Sequence, residues 1–260
     1  MNRLVNFSKR NFIEVLRDSI IYIFCIGFPI VMLVLFQLIN KYTGGNASMF
    51  EIKALIPGVI VFSFTFVMLV MALLVSKDKQ TFFLKRLYSS PMKPCDFVLG
   101  YASVGVVVGL CQIVICLFFG WILSVITKTQ YISFVGCLIL AVSQIPMLLI
   151  CVFFGILMGI AFNDRTAPGV ASIFISLSGM LGGCWMPVES MGAFETICRV
   201  LPFYPSVYIG RWASGAVNAF GQTYSFDLIA KLGLIPICVF LVFGIVFSSF
   251  VFKKNMVSDK

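Results

Sequence analysis

Six long apolar blocks constrain this chain more than any other feature of its sequence. Each block runs for about 20 residues or more without Asp, Glu, Lys, Arg or His, which is the length that an α-helix needs to cross a hydrocarbon core about 30 Å thick. In lipid, a spanning segment must satisfy its own backbone hydrogen bonds. The sequence therefore predicts an all-α polytopic membrane protein with six transmembrane helices. The predicted spans are residues 19–39, 54–76, 97–127, 132–162, 167–186 and 232–252.

Composition excludes an ordinary soluble domain. The chain is 60% hydrophobic and 11% charged, whereas a soluble domain has about 25% charged residues.

The first block is longer than the roughly 7 to 15 apolar residues of a signal peptide, so we interpret it as a retained helix. Most of the nine cysteines lie within apolar blocks and are expected to pack as small hydrophobic residues. Cys184 and Cys198 are the pair that could meet outside the membrane.

The distribution of charge predicts the orientation. The net charge of +9 comes from Lys and Arg between the apolar blocks and not from a basic stripe on a soluble fold, so no nucleic-acid partner is predicted. With the N-terminus inside, most of the 19 basic residues fall in inner segments, as the positive-inside rule requires. We therefore expect a multi-pass protein of the cell membrane (inner or plasma membrane) with both termini in the cytoplasm, residues 253–260 forming a cytoplasmic tail.

Residues 1–18 mix apolar and charged side chains ahead of the first span, among them Arg10, Arg17 and Asp18. This pattern predicts an N-terminal interfacial (elbow) helix, whose cations meet anionic head groups while its apolar side enters the acyl boundary. The alternative is a plain cytoplasmic tail with stop-transfer charges.

The connection after the second span, residues 77–94, is the most charged part of the chain and also contains large apolar residues. Pro91 and Pro94 end any helix there. A short amphipathic helix on the cytoplasmic face would place its apolar side in a groove of another protein, with its cations against acidic residues. A solvated basic loop would explain the charge but not the aromatic content. The apolar residues of this helix are Phe83, Leu84 and Leu87, and the cations are Lys85 and Arg86.

Two further connections have recognisable patterns. Residues 163–166 form a tight inner turn, in which Asp164 or Thr166 is predicted to cap the fifth helix, with Pro168 in its first turn. Residues 187–231 are moderately apolar and rich in aromatic side chains, which favours short outer helices that dip into the outer leaflet.

Small and polar residues inside the blocks are candidates for helix packing or for a substrate pathway. Two glycine pairs at a spacing of four allow close helix approach, most commonly within one subunit. Buried glutamines bind a neighbouring helix or face a substrate. The 28 Phe and 12 Met residues suit an amphiphilic or hydrophobic cargo, and equally suit lipid-facing helices. The candidates are Gly105 with Gly109, Gly155 with Gly159, Gln112 and Gln144.

The sequence contains no phosphate-binding P-loop motif and no ionisable residue inside a predicted span. Energy for driven transport must then come from another subunit. An ion-coupled or passive transporter is one alternative, and a membrane-embedded enzyme is another. The enzyme would need a nucleophile, metal ligands or paired acids, yet the chain has no His and its outer acids Glu189, Glu195 and Asp227 are scattered. No catalytic residue or metal site is therefore predicted.

Three segments carry a family resemblance. The first comprises Arg10-Asn11-Phe12 and Arg17-Asp18 before the first span, with Gly27-Phe28-Pro29 inside it. The second is residues 84–91, Leu-Lys-Arg-Leu-Tyr-Ser-Ser-Pro, and the third is residues 179–189 followed by Leu201-Pro202-Phe203-Tyr204-Pro205. In this order and at these depths, they resemble the type-2 ATP-binding-cassette (ABC-2) exporter permeases, a six-helix family that includes drug, lipid and polysaccharide export permeases.

The resemblance implies a permease subunit of an ABC exporter, which forms the translocation pathway for an amphiphilic or hydrophobic substrate. A separate ABC ATPase subunit would bind ATP and Mg, so the chain itself would hold no cofactor. A second permease copy or a homologous permease would complete a dimer.

The resemblance also assigns roles to residues. The cytoplasmic coupling helix would contact the ATPase, the interfacial helix would flank it, and outer re-entrant helices would close the other side. The sequence departs from the family at Phe82-Phe83, where many members carry Gly-Thr, and at Asp78 and Gln80, where glutamates are common. The implied ATPase-coupling residues are Asp78, Thr81, Phe83, Leu84, Lys85, Arg86, Leu87, Ser90 and Pro91; the outer re-entrant residues are Gly182, Gly183, Pro187, Glu189, Pro202 and Pro205.

Overall fold

A computed structural model describes residues 2–44, 48–81, 83, 94–218, 220–226 and 228–258. These residues form helices and contain no strand beyond one isolated bridge between Val217 and Thr223, so the all-α fold class is confirmed. The helices are α1 (Asn2–Arg17), α2 (Ser19–Ile21), a π-helical turn (Tyr22–Gly27), α3 (Phe28–Tyr42), α4 (Ile52–Gln80), α5 (Pro94–Thr127), α6 (Phe134–Ala161), α7 (Ala167–Leu181), α8 (Ala193–Val200), α9 (Phe203–Ser214) and α10 (Leu228–Ser258). Ser48–Phe50 and Val188–Ser190 are short 3-10 turns.

Five helical segments within the described residues are long and apolar enough to cross a membrane: 22–42, 52–80, 95–127, 134–161 and 230–254. The predicted fifth span differs, because α7 ends at Leu181 instead of continuing to residue 186. The amide of Gly182 still bonds the Ser178 carbonyl at 2.8 Å, but Gly183 has a positive φ of 61° and turns the chain. The protein is thus a polytopic helical membrane protein in which five spans are long and α7 is short, and the count of six stays a prediction.

Helix α4 lies at the centre of the bundle and is buried along almost its whole length. It contacts α3, α5, α6, α7 and α9. Its two ends define the two ends of the molecule. The α1 end is where α1 packs near Asp78, and the α9 end is where α9 packs near Ala54. At about 1.5 Å per residue, these two positions are roughly 36 Å apart along the helix.

Both chain termini lie at the α1 end. Phe252, close to the end of α10, packs parallel to the ring of Phe97 with centroids 6.4 Å apart, and lies 6.3 Å from the ring of Tyr101. Phe7 of α1 contacts these same two rings edge-on, at 5.8 and 5.0 Å. A chain whose first and last helices meet at one end of the bundle must cross the bundle an even number of times. The five long segments alone give an odd number, so this arrangement agrees with a further crossing by the short α7.

Both predicted glycine pairs lie at helix contacts within the chain. A Cβ atom on Gly155 of α6 would stand 2.4 Å from the Met68 carbonyl oxygen of α4, and one on Gly159 would stand 2.6 Å from the Cβ of Val75. Glycine at these positions lets the backbones of α4 and α6 approach closely. The second pair, Gly105 and Gly109 of α5, faces side chains of α6. There a Cβ would meet Val152 at 2.8 Å and Leu148 at 2.1 Å, respectively.

Two prolines create hydrogen bonds between helices. Proline has no amide hydrogen, so the carbonyl four residues earlier loses its helical donor. Pro57 of α4 leaves the Lys53 carbonyl open, and the Ser214 hydroxyl of α9 donates to it at 2.7 Å.

Pro29 has the same effect at the start of α3. It leaves the Cys25 carbonyl without its donor, and the Gln112 side-chain amide of α5 donates to that oxygen at 3.1 Å and to the Ser63 carbonyl at 3.3 Å. The Gln112 amide oxygen has no hydrogen-bond partner. Gln112 therefore binds neighbouring helices.

One local expectation from the sequence, the cap of the fifth helix by Asp164 or Thr166, is wrong. The structure places Thr166 at the N-cap of α7 without a capping bond, because its hydroxyl bonds back to the Asn163 backbone at 3.2 Å. Asp164 accepts from the Ser76 hydroxyl at 3.4 Å instead of capping α7. Pro168 does lie in the first turn of the helix. All nine cysteines are free, including Cys184 and Cys198.

We predict that Gly155→Ala destabilises the protein, because the added methyl group would overlap the α4 backbone. The expected loss is about 1–3 kcal/mol, measured by thermal or denaturant unfolding of the purified protein in detergent. The matched control is Gly169→Ala on α7, where an added Cβ would meet nothing within 4 Å. Equal effects of the two substitutions would contradict the assigned α4–α6 contact.

Candidate functional site

A buried carboxylate at the end of α4 organises the α1 end of the bundle. Asp78 is 1% exposed, and its two oxygens accept from the Arg10 guanidinium of α1 at 2.6 and 2.7 Å. The Tyr101 hydroxyl of α5 donates to the same carboxylate at 2.7 Å. Because an ionised carboxylate removed from water is stable only when it is paired and hydrogen-bonded, Asp78 holds α1, α4 and α5 together. We call Arg10, Glu14, Asp78, Phe83 and Tyr101 the Asp78 cluster.

Arg10 is the centre of this cluster. Besides Asp78, it forms an ion pair with Glu14 at 2.5 Å, one turn along α1, and it donates to the Asn11 side chain at 2.9 Å. Its guanidinium carbon lies 4.1 Å from the centre of the Phe83 ring, a geometry in which the positive charge is attracted to the face of the ring. Arg10 thereby connects α1 to Phe83, which follows the end of α4.

The charges of the cluster shift the pKa values of its α1 members. Burial alone would lower the pKa of Arg10, but the hydrogen bond and negative charge of Asp78 outweigh burial, and the pKa is raised. For Glu14, burial raises the pKa first and the nearby Asp78 charge raises it further, while Arg10 and Lys77 offset part of that shift. Arg10 therefore stays cationic, and the pKa of Glu14 is raised chiefly because the side chain is partly buried.

The end of α4 is also fixed to α6. The Lys79 ammonium donates to the Ile160 carbonyl near the end of α6 at 2.6 Å. The Thr81 hydroxyl bonds the carbonyls of Lys77 and Asp78, at 3.1 and 3.3 Å, and so closes the last turn of α4. The end of α4 is therefore bonded to α1, α5 and α6 together.

Helix α1 presents two apolar faces. One contains the buried residues Phe7 and Val15 and packs on the bundle, chiefly on α5. The other contains Val5, Ile13 and Leu16, which are 41–55% exposed. A helix that docks through one side and leaves apolar side chains free on another fits the predicted position at a membrane interface.

At the α9 end, a buried arginine holds several segments together, as Asp78 does at the α1 end. Arg211 of α9 is 1% exposed. Its guanidinium donates to the Gly183 carbonyl at 2.7 Å, the Ala54 carbonyl at 3.2 Å and the Tyr224 hydroxyl at 3.4 Å. Tyr224 in turn donates to the Glu189 carboxylate. Arg211 thus joins the start of α4, the turn after α7 and the segment before α10.

The other predicted outer residues shape the same region. Pro187 and Pro202 stand directly before the 3-10 turn at Val188–Ser190 and before α9, respectively. Pro205 lies against α10, where a Cβ on Gly233 would be 2.7 Å from it. Gln144 of α6 donates to the Ser206 carbonyl at 3.1 Å and accepts from the Ser206 hydroxyl at 2.9 Å. Gln144 therefore serves to pack α9 against α6.

The structure brings together only some of the residues that the sequence singled out. Arg10, Asp78 and Phe83 meet in the Asp78 cluster, and Thr81 closes the adjoining helical turn. Arg17 and Asp18 lie beside the cluster and line a neighbouring cleft. The remaining coupling candidates, Leu84, Lys85, Arg86, Leu87, Ser90 and Pro91, lie outside the described residues.

Sequence reasoning did not identify three of the residues that hold these sites. Glu14 stands four residues after Arg10, a spacing that signals an ion pair on one helix face. Tyr101 carries a hydroxyl group inside an apolar block, which indicates only weakly that it needs a polar partner. Arg211 is one basic residue of the outer connection at residues 187–231, and nothing in the sequence places it opposite the Ala54 carbonyl, more than 150 positions away.

Comparison with known families gives one match, to the family model described as ABC-2 type transporter, over residues 3–213. The match extends from α1 through most of α9 and includes both the Asp78 cluster and Arg211. A search of curated proteins returned no match.

We predict that Arg10→Met destabilises the protein by about 3 kcal/mol, because the Asp78 carboxylate would stay buried without its cation. The double variant Arg10→Met/Asp78→Leu should recover part of this loss, since it removes both charges. Unfolding in detergent measures both effects. The control is Arg17→Met, an exposed cation on the same helix, with an expected change of less than about 0.5 kcal/mol. Similar effects of Arg10→Met and Arg17→Met would contradict the cluster.

We also predict that Arg211→Lys is destabilising despite keeping the charge. A lysine ammonium cannot reproduce the planar fork that reaches two backbone carbonyls and a hydroxyl, and one or more of these buried groups would lose its donor, at a cost of about 1–3 kcal/mol. The control is Arg199→Lys, because Arg199 is partly exposed and pairs only with Glu195 in the adjacent helical turn. A thermal scan that ranks Arg199→Lys as equal or worse would count against this role for Arg211.

Proposed function

The chain belongs to the ABC-2 type transporter family, and we propose that it is the permease subunit of an ABC exporter, forming the pathway for an amphiphilic or hydrophobic substrate. The family component is a membrane transport subunit without a nucleotide-binding domain, and it normally works with an ABC ATPase subunit. Export and the nature of the substrate are our inferences from the structure and the sequence.

The Asp78 cluster is the observation that carries this proposal. A permease moved by an external ATPase must transmit force from the surface of that ATPase to several membrane helices at once. In this chain, the end of α4, which leads into the proposed contact segment, is tied to α1 and α5 through Arg10, Asp78 and Tyr101, and to α6 through Lys79. These contacts make the α1 end suited to move as a rigid body.

We place the ATPase contact in residues 81–91. Nucleotide binding would close two ATPase subunits, and the docked coupling helices would move with them. Arg10 would sense this movement directly, because it lies over the Phe83 ring at the start of the segment. ATP and Mg would bind to the partner subunit, so the chain itself contributes docking and not hydrolysis.

A second permease would complete the pathway. Helix α7 is only 15 residues long, and one of its faces is exposed along its length, with Gly169, Ser172, Ile173 and Ser176 on it. Both serine hydroxyls bond to their own helix backbone. A face of small polar and apolar residues allows close helix approach. We propose that it meets a second copy or a homologous permease across the pathway.

Ion-coupled transport is less well supported. Among the described residues, the charged side chains that are fully buried are Asp78 and Arg211. They lie at opposite ends of α4, and each is already bonded to protein groups. A proton pathway uses ionisable groups along the span, and these two are positioned to hold helices instead.

A membrane enzyme is also less well supported. The outer acids are engaged separately, Glu189 with Tyr224 and Glu195 with Arg199. They do not form a carboxylate pair that could act in acid and base catalysis. Asp227 lies outside the described residues.

We infer that the α1 end faces the cytoplasm of a cell (inner or plasma) membrane. Most basic residues belong to segments at this end, as the positive-inside rule requires. Both termini would then be cytoplasmic, and α8 and α9 would lie at the outer surface.

Reconstitution tests the proposed function. Purified alone in vesicles, the chain should move no candidate amphiphile uphill. Together with an ABC ATPase subunit that copurifies with it, and with MgATP, it should transport. Concentrative movement by the chain alone, without nucleotide, would overturn the proposal.

In the reconstituted complex, we predict that Arg86→Glu uncouples the two activities. The reversed charge would weaken docking of the coupling helix against acidic residues of the ATPase, so transport should fall at least about tenfold while ATP hydrolysis and membrane insertion persist. Lys41→Glu, at an exposed position in the last turn of α3, is the control and should leave transport unchanged. Transport by Arg86→Glu at the control rate would contradict the coupling assignment.

A further inference from the structure

A cleft of about 430 Å³ lies at the α9 end of the bundle. The end of α3 and the start of α4 form two of its walls. Thr129 and Gln130, in the connection between α5 and α6, form a third, and Gly215 and Val217, which follow α9, complete the lining. We call this space the α3–α4 cleft. The packing of Arg211 against the start of α4 leaves it without an assigned role.

Hydrogen bonds fix the walls of the cleft. Gln37 of α3 lines it and is 8% exposed, and its side-chain amide donates to the Phe50 carbonyl at 2.6 Å. This bond ties α3 to the turn before α4. The Ser214 hydroxyl of α9 donates to the Lys53 carbonyl at 2.7 Å, so the first turn of α4 is also held from the other side. The polar groups of the cleft are therefore preorganised for a ligand.

Asn40, in the last turn of α3, offers an acceptor that nothing uses. Its side chain lines the cleft, and its Oδ1 atom is shielded from solvent without a hydrogen-bond partner in the ranges that the structure describes. A buried oxygen that has lost its donors costs about 1–3 kcal/mol. The cleft therefore favours a ligand that carries an N–H or O–H group to Asn40.

The cleft also contains one charge of each sign. Glu51 stands directly before α4 with its side chain exposed, and Lys53 is half-buried two residues later. The Lys53 ammonium donates to the uncharged side chain of Gln130 at 3.3 Å. Within the described part of the chain, neither Glu51 nor Lys53 belongs to an ion pair. Both charges are therefore available to a ligand.

We propose that the α3–α4 cleft binds a zwitterionic head group that carries a primary ammonium group and an anionic group, as phosphoethanolamine does. The ammonium group would donate to Asn40 Oδ1 and to the Glu51 carboxylate, and the anionic group would accept from Lys53. A quaternary ammonium group has no N–H and would leave Asn40 unsatisfied. A head group with a charge of one sign only would leave either Glu51 or Lys53 unmatched.

A membrane lipid and a free zwitterion share this chemistry. Leu38 and Ile39 of α3 are 50% and 37% exposed, and polar residues begin at Asn40. The cleft thus lies where the apolar surface of the first span ends, which is the depth of lipid head groups. Binding here requires neither an ATPase nor transport, so the inference goes beyond the proposed function.

Titration of the whole purified chain with dihexanoyl phosphatidylethanolamine tests the proposal. The protein is held in dodecyl maltoside, and binding is measured by isothermal titration calorimetry. Dihexanoyl phosphatidylcholine is the comparison ligand, because it has the same tails and a head group without N–H. We expect saturable binding of the ethanolamine lipid, at least about tenfold tighter than binding of the choline lipid, since the latter loses charge-assisted hydrogen bonds.

Substitutions assign the binding to the cleft. Glu51→Gln and Lys53→Gln should each weaken binding of the ethanolamine lipid about tenfold, because each removes one charged partner. Asn40→Leu removes the unused acceptor and should reduce the preference for the ethanolamine lipid over the choline lipid. The matched control is Lys41→Gln, which removes an exposed cation from the same turn of α3 and should bind like the unmodified protein.

Several outcomes would overturn the proposal. They are the absence of saturable binding, equal affinity for the two head groups, or unchanged affinity in both Glu51→Gln and Lys53→Gln. Binding of dihexanoyl phosphatidylglycerol, whose head group is only anionic, as tightly as the ethanolamine lipid would also contradict it. Size-exclusion chromatography and circular dichroism identify a variant that has not folded, and Glu51→Gln, at an exposed position, then decides the test.

Competition with soluble glycerophosphoethanolamine distinguishes the two sources of the head group. Displacement at the same concentration as the unlabelled lipid would identify a free zwitterion, and no displacement would identify a membrane lipid; either result supports the assigned head-group chemistry. Because the titration uses no ATPase, failure to bind refutes the cleft alone. Binding without MgATP-driven transport in the reconstituted complex refutes the proposed function alone.

Discussion

The central helix α4 is buried along almost its whole length, so each polar group that the helix does not bond itself needs a partner from another helix. This requirement organises both ends of the molecule. At one end, the Lys53 and Ala54 carbonyls accept from Ser214 and Arg211 of α9. At the other, the Asp78 carboxylate accepts from Arg10 and Tyr101. The surrounding helices are therefore positioned by the donors they supply as well as by their apolar surfaces, because an unpaired polar group in this environment is costly.

The two ends have different capacities for movement. The α9 end is held by a guanidinium that binds backbone carbonyls, whose positions are fixed by the helices themselves. The α1 end is held by three charged side chains, Arg10, Asp78 and Lys79, of which Lys79 bonds the Ile160 carbonyl, and these contacts of α4 precede the segment proposed to meet the ATPase. Force applied there would reach α1, α5 and α6 before it reached α9.

Much of the fold was predictable because lipid imposes length and composition on each span. The apolar blocks placed the long helices to within a few residues, and the family resemblance was confirmed over most of the chain. Features that depend on contacts between distant segments were less accessible. Nothing local to Tyr101 or Arg211 indicates which carboxylate or carbonyl it will meet, and Gly182-Gly183 inside an apolar block gave no clear sign that α7 would stop there. The prolines are an intermediate case, since Pro57 predicts a free carbonyl but not the serine that bonds it.

The π-helical turn at Tyr22–Gly27 has a consequence for the first spanning segment. A π-turn accommodates one residue more than an α-helical turn of the same height. Conversion of this turn to α-helix would rotate everything before it by about 100° and shift it by about 1.5 Å. Such a change would rotate α2 (Ser19–Ile21) around the axis of α3 without breaking the helix. This extra residue lies between the interfacial helix and the body of the bundle, so the conformation of one turn determines how α1 is oriented around the axis of the first span.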